Sequence, residues 1–130
     1  MKIYTTYFAK VNKLPKHIQP ISICGKAVEG WSNPQFKKLA PSWSIYKELK
    51  YEGGSKERYT DRYKSEILAK LDARVVLSEL LALREDGRED IALVCYEKPG
   101  DFCHRHLIAE WLMDNIGIEV KEFNYDEKEK

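Results

Sequence analysis

Apolar and polar positions fall into short runs whose period changes along the chain. Residues 3–9, Ile-Tyr-Thr-Thr-Tyr-Phe-Ala, are rich in β-branched and aromatic side chains and predict a strand. Residues 10–20 hold two prolines among polar residues and predict a loop. The apolar run 21–24, closed by Gly25, predicts a second, buried strand. Residues 25–41 contain two glycines and two prolines. That stretch is too irregular for one element and too long for an idle connection, which points to a binding loop.

A helical period follows. Ser42 suits an N-cap for a helix over 42–51, with Ile45, Tyr46 and Leu49 on one face. Gly53-Gly54 interrupts it, and a second helix over 57–71 is expected to bury Tyr63, Ile67, Leu68 and Leu71. Asp72 can cap a third, in which Val75, Val76, Leu80 and Leu83 recur at helical spacing before Asp86-Gly87 ends it. Residues 91–95, Ile-Ala-Leu-Val-Cys, form the clearest strand, continuous and apolar as in a sheet covered on both faces. A helix near 102–115 presents Leu107, Ile108, Trp111 and Leu112, with Gly117 placed to end it. A last strand is expected at 118–123, and 126–130 reads as a solvated tail. Strand, helices, strand, helix, strand defines a single α/β domain over 1–125. The expected architecture has three layers, a mostly parallel sheet of about four strands and helices on both faces.

Composition narrows the class. With 130 residues the chain can bury a core without needing a disulfide or metal to fold. An apolar fraction of 43% with 33% charged residues is neither a disordered nor a membrane composition, and no run approaches the ~20 apolar residues of a membrane span. The first ten residues show no signal-peptide pattern. Three cysteines, Cys24, Cys95 and Cys103, are an odd count, and without an export signal they are expected as free thiols in the cytoplasm.

Charge is uneven. Residues 1–50 carry nine lysines against two glutamates, a net +7, and the remainder a net −6. Tyr4, Tyr7, Phe8, Trp31, Phe36, Trp43 and Tyr46 lie among those lysines, a composition that suits a nucleic-acid or other anionic partner. The plainer reading is that the lysines solvate the surface while the aromatics build the core.

The chemistry concentrates in Cys95-Tyr-Glu-Lys-Pro-Gly-Asp-Phe-Cys-His-Arg105, between the apolar strand and the following helix. Loops at the carboxyl ends of parallel strands are where open α/β sheets bind ligands. A helix N-terminus adds unpaired N–H groups suited to an anion. With Asp101 as N-cap, Cys103, His104 and Arg105 fall in the first turn. The dipole and Arg105 then favour a Cys103 thiolate, making it the candidate nucleophile. The same field disfavours protonated His104, leaving a neutral imidazole as base or ligand. Glu97 can orient Arg105 or accept a proton. Arg105 offers a planar fork for phosphate or carboxylate, with Cys95, Cys24 and Lys26 as further ligand-binding candidates. The alternative is that Cys103 packs as a small apolar residue while Glu97 pairs with Lys98, and Arg105 with Glu97 or Asp101.

A metal reading draws on Cys95, Cys103 and His104 as donors, with Cys24 at another strand tip as a fourth. It is disfavoured, because there is no Cys-x-x-Cys and adjacent Cys103 and His104 turn poorly onto one ion from a helix. No metal is therefore assigned, and no cofactor is named by the residues. A phosphatase loop needs an arginine six positions after its cysteine, where Asp101 stands, and the glycines of a dinucleotide fingerprint or P-loop are missing. Gly25-Lys26 is only a two-residue echo.

The segment Leu93-Val-Cys-Tyr-Glu-Lys-Pro-Gly-Asp-Phe-Cys-His-Arg-His-Leu-Ile-Ala-Glu-Trp-Leu112 resembles the hallmark of the domain-of-unknown-function 488 family. The likeness lies in a Cys-x-Glu strand tip, then Cys-His-Arg, then a helix beginning Leu-Ile-Ala-Glu. Thr5-Thr6-Tyr7-Phe8, Ile23-Cys-Gly-Lys26 and Leu39-Ala-Pro41 resemble a subgroup of it. The resemblance implies a small Rossmann-like α/β fold and draws attention to Cys95, Glu97, Cys103, His104 and Arg105, but implies no reaction. Other members often carry Asp-x-Arg where this chain has Ser22-Ile-Cys24, so a role for that arginine does not carry over. Three functions are therefore expected to compete: binding or transformation of a small anionic ligand, a nucleic-acid or nucleotide accessory role, and a metal-stabilised interaction domain. The oligomeric state is not set by the sequence.

Overall fold

The computed structural model describes residues 1–97 and 102–126. Asp101, expected as a helix cap, and residues 127–130 of the expected tail lie outside the described residues. Four strands, β1 (Ile3–Tyr7), β2 (Ile18–Ser22), β3 (Asp90–Cys95) and β4 (Val120–Glu122), form one sheet in the order β2-β3-β1-β4. Every pairing is parallel. The helices are α1 (Trp43–Tyr51), α2 (Lys56–Glu66), α3 (Ala73–Ala82) and α4 (His104–Ile116). None among the described residues is long and apolar enough to cross a membrane.

The expected α/β architecture is present, with the three layers unequal. The connections from β2 to β3 and from β3 to β4 move across the sheet in one sense, and that from β1 to β2 in the other. Right-handed connections place the first two on one face and the third on the opposite one. All four α-helices therefore pack on one side, rather than on both. The thin third layer holds the 3-10 helix Phe8–Lys13, with Phe123 edge-on to Tyr4 and Tyr125 hydrogen-bonded to Thr6.

β3 lies in the interior of the sheet with all six residues buried, as its unbroken apolar run requires. Register aligns Thr5 with Leu93 and Glu122, and Tyr7 with Cys95. Because side chains alternate along strands, Thr5, Tyr7, Leu93, Cys95 and Glu122 share the face toward α4. The carboxyl ends of β1 and β3 thus deliver polar and sulfur groups to the start of that helix.

Boundaries differ where local chemistry competes. β2 begins earlier than the predicted 21–24 and runs through Pro20. An edge strand tolerates proline because its outer N–H has no ladder partner to lose. β1 gives way at Phe8 to the 3-10 helix instead of continuing to residue 9. The second helix stops at Glu66, and a 3-10 turn, Leu68–Lys70, reverses the chain before Asp72 starts α3. Ser42 and Asp72 cap as expected, accepting from the backbone N–H of Ile45, and of Arg74 and Val75. Gly117 ends α4 at φ +67°, a left-handed position that glycine adopts without Cβ strain.

The irregular stretch 25–41 folds back on the edge of β2. Ser22 N–H donates to Pro34, and Phe36 N–H to Ser22. Its far end is tied to α2 by the buried Tyr63 hydroxyl, which donates to the Leu39 carbonyl. Removing that donor leaves a buried carbonyl without its partner. Tyr63→Phe is expected to lower unfolding free energy by about 1–2 kcal/mol in chemical denaturation, with the four-stranded fold retained by circular dichroism.

Candidate functional site

Cys24 follows β2, Cys95 ends β3 and Cys103 precedes α4, so the three cysteines gather at the carboxyl edge of the sheet. Cys103 is not inside the helix. It is the N-cap, with extended backbone at φ −150° and ψ 145°, and α4 begins at His104. An extended N-cap turns its side chain back toward the strand tip. There the sulfurs of Cys95 and Cys103 join in a disulfide, while Cys24 alone remains a free, buried thiol. The expectation of three free thiols is corrected accordingly. The chain reversal between β3 and α4 brings together two cysteines that are eight residues apart in sequence.

His104 is buried, and its Nε2 lies 2.8 Å from the Ile23 carbonyl oxygen. A carbonyl only accepts, so Nε2 carries the proton and Nδ1 keeps the lone pair. Nδ1 is 3.7 Å from Cys103 Sγ. Burial, aided by the nearby Arg105 charge and opposed by the hydrogen bond to Ile23, pushes the imidazole's pKa down to about 4. The larger cause of this downward shift is burial, rather than the helix-terminus field on which the sequence expectation rested.

Arg105 departs most from expectation. Its side chain has no exposed surface, although sequence reasoning offered its fork to a ligand. Nε and Nη2 donate to the two carboxylate oxygens of Glu122 at 3.0 and 3.1 Å. Nη1 donates to Cys95 Sγ at 2.9 Å and to the Glu97 carbonyl at 2.6 Å. Thr5 Oγ1 donates to the same Glu122 at 2.6 Å, completing the cradle. The anion-gripping role is corrected to a positioning role, because the fork is already occupied by protein acceptors. It also supports the Cys95 sulfur rather than that of Cys103. Among the described residues its acidic partner is Glu122 rather than the Glu97 side chain, while Asp101, the other expected partner, lies outside the described residues. Sequence reasoning missed Glu122; the only available signal was a carboxylate on the apolar-facing parity of the last strand.

A cleft of about 800 Å³ opens over this edge. Cys103 and His104 line it beside Cys24 and Glu97. Lys26 and Lys50 supply cations, while Trp43, Tyr46, Tyr59, Tyr96 and Phe102 supply aromatic surface. Cys24, Lys26, Glu97, Cys103 and His104 are therefore brought together, whereas Cys95 and Arg105 lie behind them. Tyr96 closes one side by donating to the Lys26 carbonyl at 2.6 Å. Burial, reinforced by the Glu97 charge, pushes the Cys24 thiol up to about 12, so it stays protonated at neutral pH. Sequence reasoning left Trp43, Tyr46, Lys50 and Tyr59 out of the site, since only the fold carries α1 and α2 to this edge, and it gave Tyr96 and Phe102, inside the Cys95–Arg105 segment, no role.

These features define an α/β protein whose cysteine sulfurs and a buried imidazole gather at the carboxyl edge of a parallel sheet. A family model described as the active DUF488-N3 subclade matches residues 7–116, and the chain belongs to the DUF488 family. Comparison with curated proteins and with solved structures gave no match.

The Arg105 cradle makes a direct prediction. Removing one partner of a buried ion pair leaves the other charge uncompensated, at a cost of about 3–5 kcal/mol. Glu122 retains some solvent contact, so Glu122→Ala is expected at the lower end, about 3 kcal/mol. Thermal and urea unfolding of ligand-free protein measure it. Wild-type stability in that variant would show that the pair does not hold the site.

Proposed function

We propose that the carboxyl-edge cleft binds, and in the catalytic case transforms, a small ligand carrying a phosphate or carboxylate. One observation carries this reading: a single cleft joins the Cys103–His104 pair to two lysines and a wall of aromatic rings. Lys26 and Lys50 complement an anionic group, and Trp43, Tyr46 and Tyr96 complement an apolar or flat portion. Cys103, His104 and Glu97 are the groups such a ligand meets. In the reduced protein, the Cys103 thiol has the His104 Nδ1 lone pair as its acceptor, and the Ile23 carbonyl orients that imidazole. A thiol, a base and an orienting group in this relation match the general requirement for an activated nucleophile. Glu97 provides a carboxylate for a proton or a ligand hydroxyl.

The nucleic-acid reading uses the same lysine-rich half over a longer surface. Lys38 and Lys47 of that half pair with Glu79 and Glu52, respectively. The cations directed at the cleft favour a compact anion over an extended strand.

Thermal shift against nucleotides, phosphosugars and organic acids tests the reading. At least one anion is expected to raise the melting temperature. Lys26→Ala and Lys50→Ala are each expected to weaken its binding about tenfold, the scale of one charged hydrogen bond. Lys47→Ala, outside the cleft, serves as the unchanged control. Failure of every anion to stabilise wild type overturns the proposal.

The thiols give a second test. In reduced, metal-free protein Cys103 is expected to alkylate faster than Cys24, whose thiol is held protonated. Peptide mapping after brief iodoacetamide treatment measures both rates. Equal rates would return Cys103 to a packing role.

A further inference from the structure

The donors at the wall of the cleft and just behind it form a more specific arrangement than a reactive thiol alone. Cys95, Cys103 and His104 are all buried, and one ligand atom from each lies within 4.8 Å of the others. The objection that adjacent Cys103 and His104 cannot face one ion assumed a helical Cys103. The extended N-cap removes it, since Cys103 turns back while His104 starts the helix.

Three further observations point to a cation. First, Cys103 Sγ and His104 Nδ1 stand 3.7 Å apart. Tetrahedral zinc with ordinary Zn–S and Zn–N bonds places such atoms about 3.6 Å apart. Second, His104 donates Nε2–H to a backbone carbonyl, which leaves Nδ1 as the donor atom; metal-bound histidines are oriented by this kind of outer contact. Third, the Cα atoms of Cys95 and Cys103 are 7.4 Å apart. A disulfide usually spans about 4.4–6.8 Å, whereas two thiolates sharing an ion tolerate the wider separation.

Charge also balances. Two thiolates neutralise a divalent ion, while Arg105 is already neutralised by Glu122 and donates one N–H to Cys95 Sγ. Cys24 lies outside the cluster, with its thiol directed at the Val94 carbonyl. We propose that Cys95, Cys103 and His104 hold a thiophilic divalent cation of the zinc class, with its fourth position open to the cleft. Three protein ligands and one exchangeable position are the arrangement of zinc sites that bind or activate substrate. A phosphate or carboxylate oxygen, or a water beside Glu97, would take that position. The inference rests on the reading of this cleft as the ligand site and gives its anion an electrophilic partner.

The site requires the dithiol form. A thiol reductant supplies two electrons and two protons, becoming a disulfide itself, and converts the Cys95–Cys103 bond to two thiols. The cation then displaces both thiol protons to solvent.

Reduced, chelator-stripped full-length protein titrated with Co²⁺ provides the test. One equivalent is expected to produce tetrahedral d–d bands and a thiolate charge-transfer band, which Zn²⁺ then abolishes by displacement. His104→Ala and Cys103→Ser are expected to weaken Co²⁺ binding by more than about tenfold, while Cys24→Ser retains it. Circular dichroism verifies their folds. In wild type, Zn²⁺ is also expected to protect Cys95 and Cys103 from alkylation while leaving the Cys24 rate unchanged, a readout independent of any variant. Absence of a stoichiometric thiolate band in the reduced wild type overturns the metal site. If anions still stabilise that metal-free protein, the cleft reading survives the loss. Conversely, cobalt binding without any anion response supports the metal site and removes the anion reading.

Discussion

A buried guanidinium organises the carboxyl edge of this protein. Arg105 has no exposed surface, so its charge must be met entirely from within the fold. Glu122 on β4 satisfies one side of the fork, while Cys95 on β3 and the Glu97 carbonyl satisfy the other. One side chain from the first turn of α4 therefore links two strands and the loop leaving β3. Thr5 on β1 joins through Glu122, so the intervening strand is tied in as well. Bidentate pairing favours arginine here: its planar fork matches the carboxylate and still has an N–H for sulfur and carbonyl.

The placement of the chemistry follows from that constraint. With Arg105 anchored under the sheet edge, α4 can start no earlier than His104 without withdrawing Cys103 from Cys95. Cys103 consequently remains extended, and His104 turns toward the Ile23 carbonyl after β2. Two sulfurs and one imidazole nitrogen converge as a result. The surface of the cleft has a different origin. α1 brings Trp43, Tyr46 and Lys50, and α2 brings Tyr59 to the same edge. Their relative placement is aided by Glu48 of α1, which accepts from both Arg58 and Arg62 of α2. Such solvent-reached pairs add little stability individually, and the buried contacts of Ile45, Tyr59 and Tyr63 carry the packing.

Much of the scaffold was legible because it is written in local chemistry. The unbroken apolar run ending at Cys95 predicted a covered parallel strand, and Ser42, Asp72 and Gly117 marked helix ends through their own capping behaviour. Pro20 was misleading because proline is costly in an interior strand, and nothing nearby in sequence reveals that β2 lies at an edge. The position of α4 by a few residues was likewise hidden. A cap competes with contacts beyond its own turn, and Cys95 lies eight residues before Cys103.

The sequence by itself determined the α/β class, the order of its elements and the chemical inventory of the Cys95–Arg105 segment. Those properties depend on residue type and short-range periodicity, which a linear chain displays directly. Only the tertiary structure decided what each group faces. Arg105 pairs with Glu122, seventeen residues away, instead of opening to a ligand; His104 is fixed by Ile23, eighty-one residues away. Such choices are made by parallel register and burial, which bring distant residues onto one face and require every buried charge and hydrogen-bonding group to find a partner.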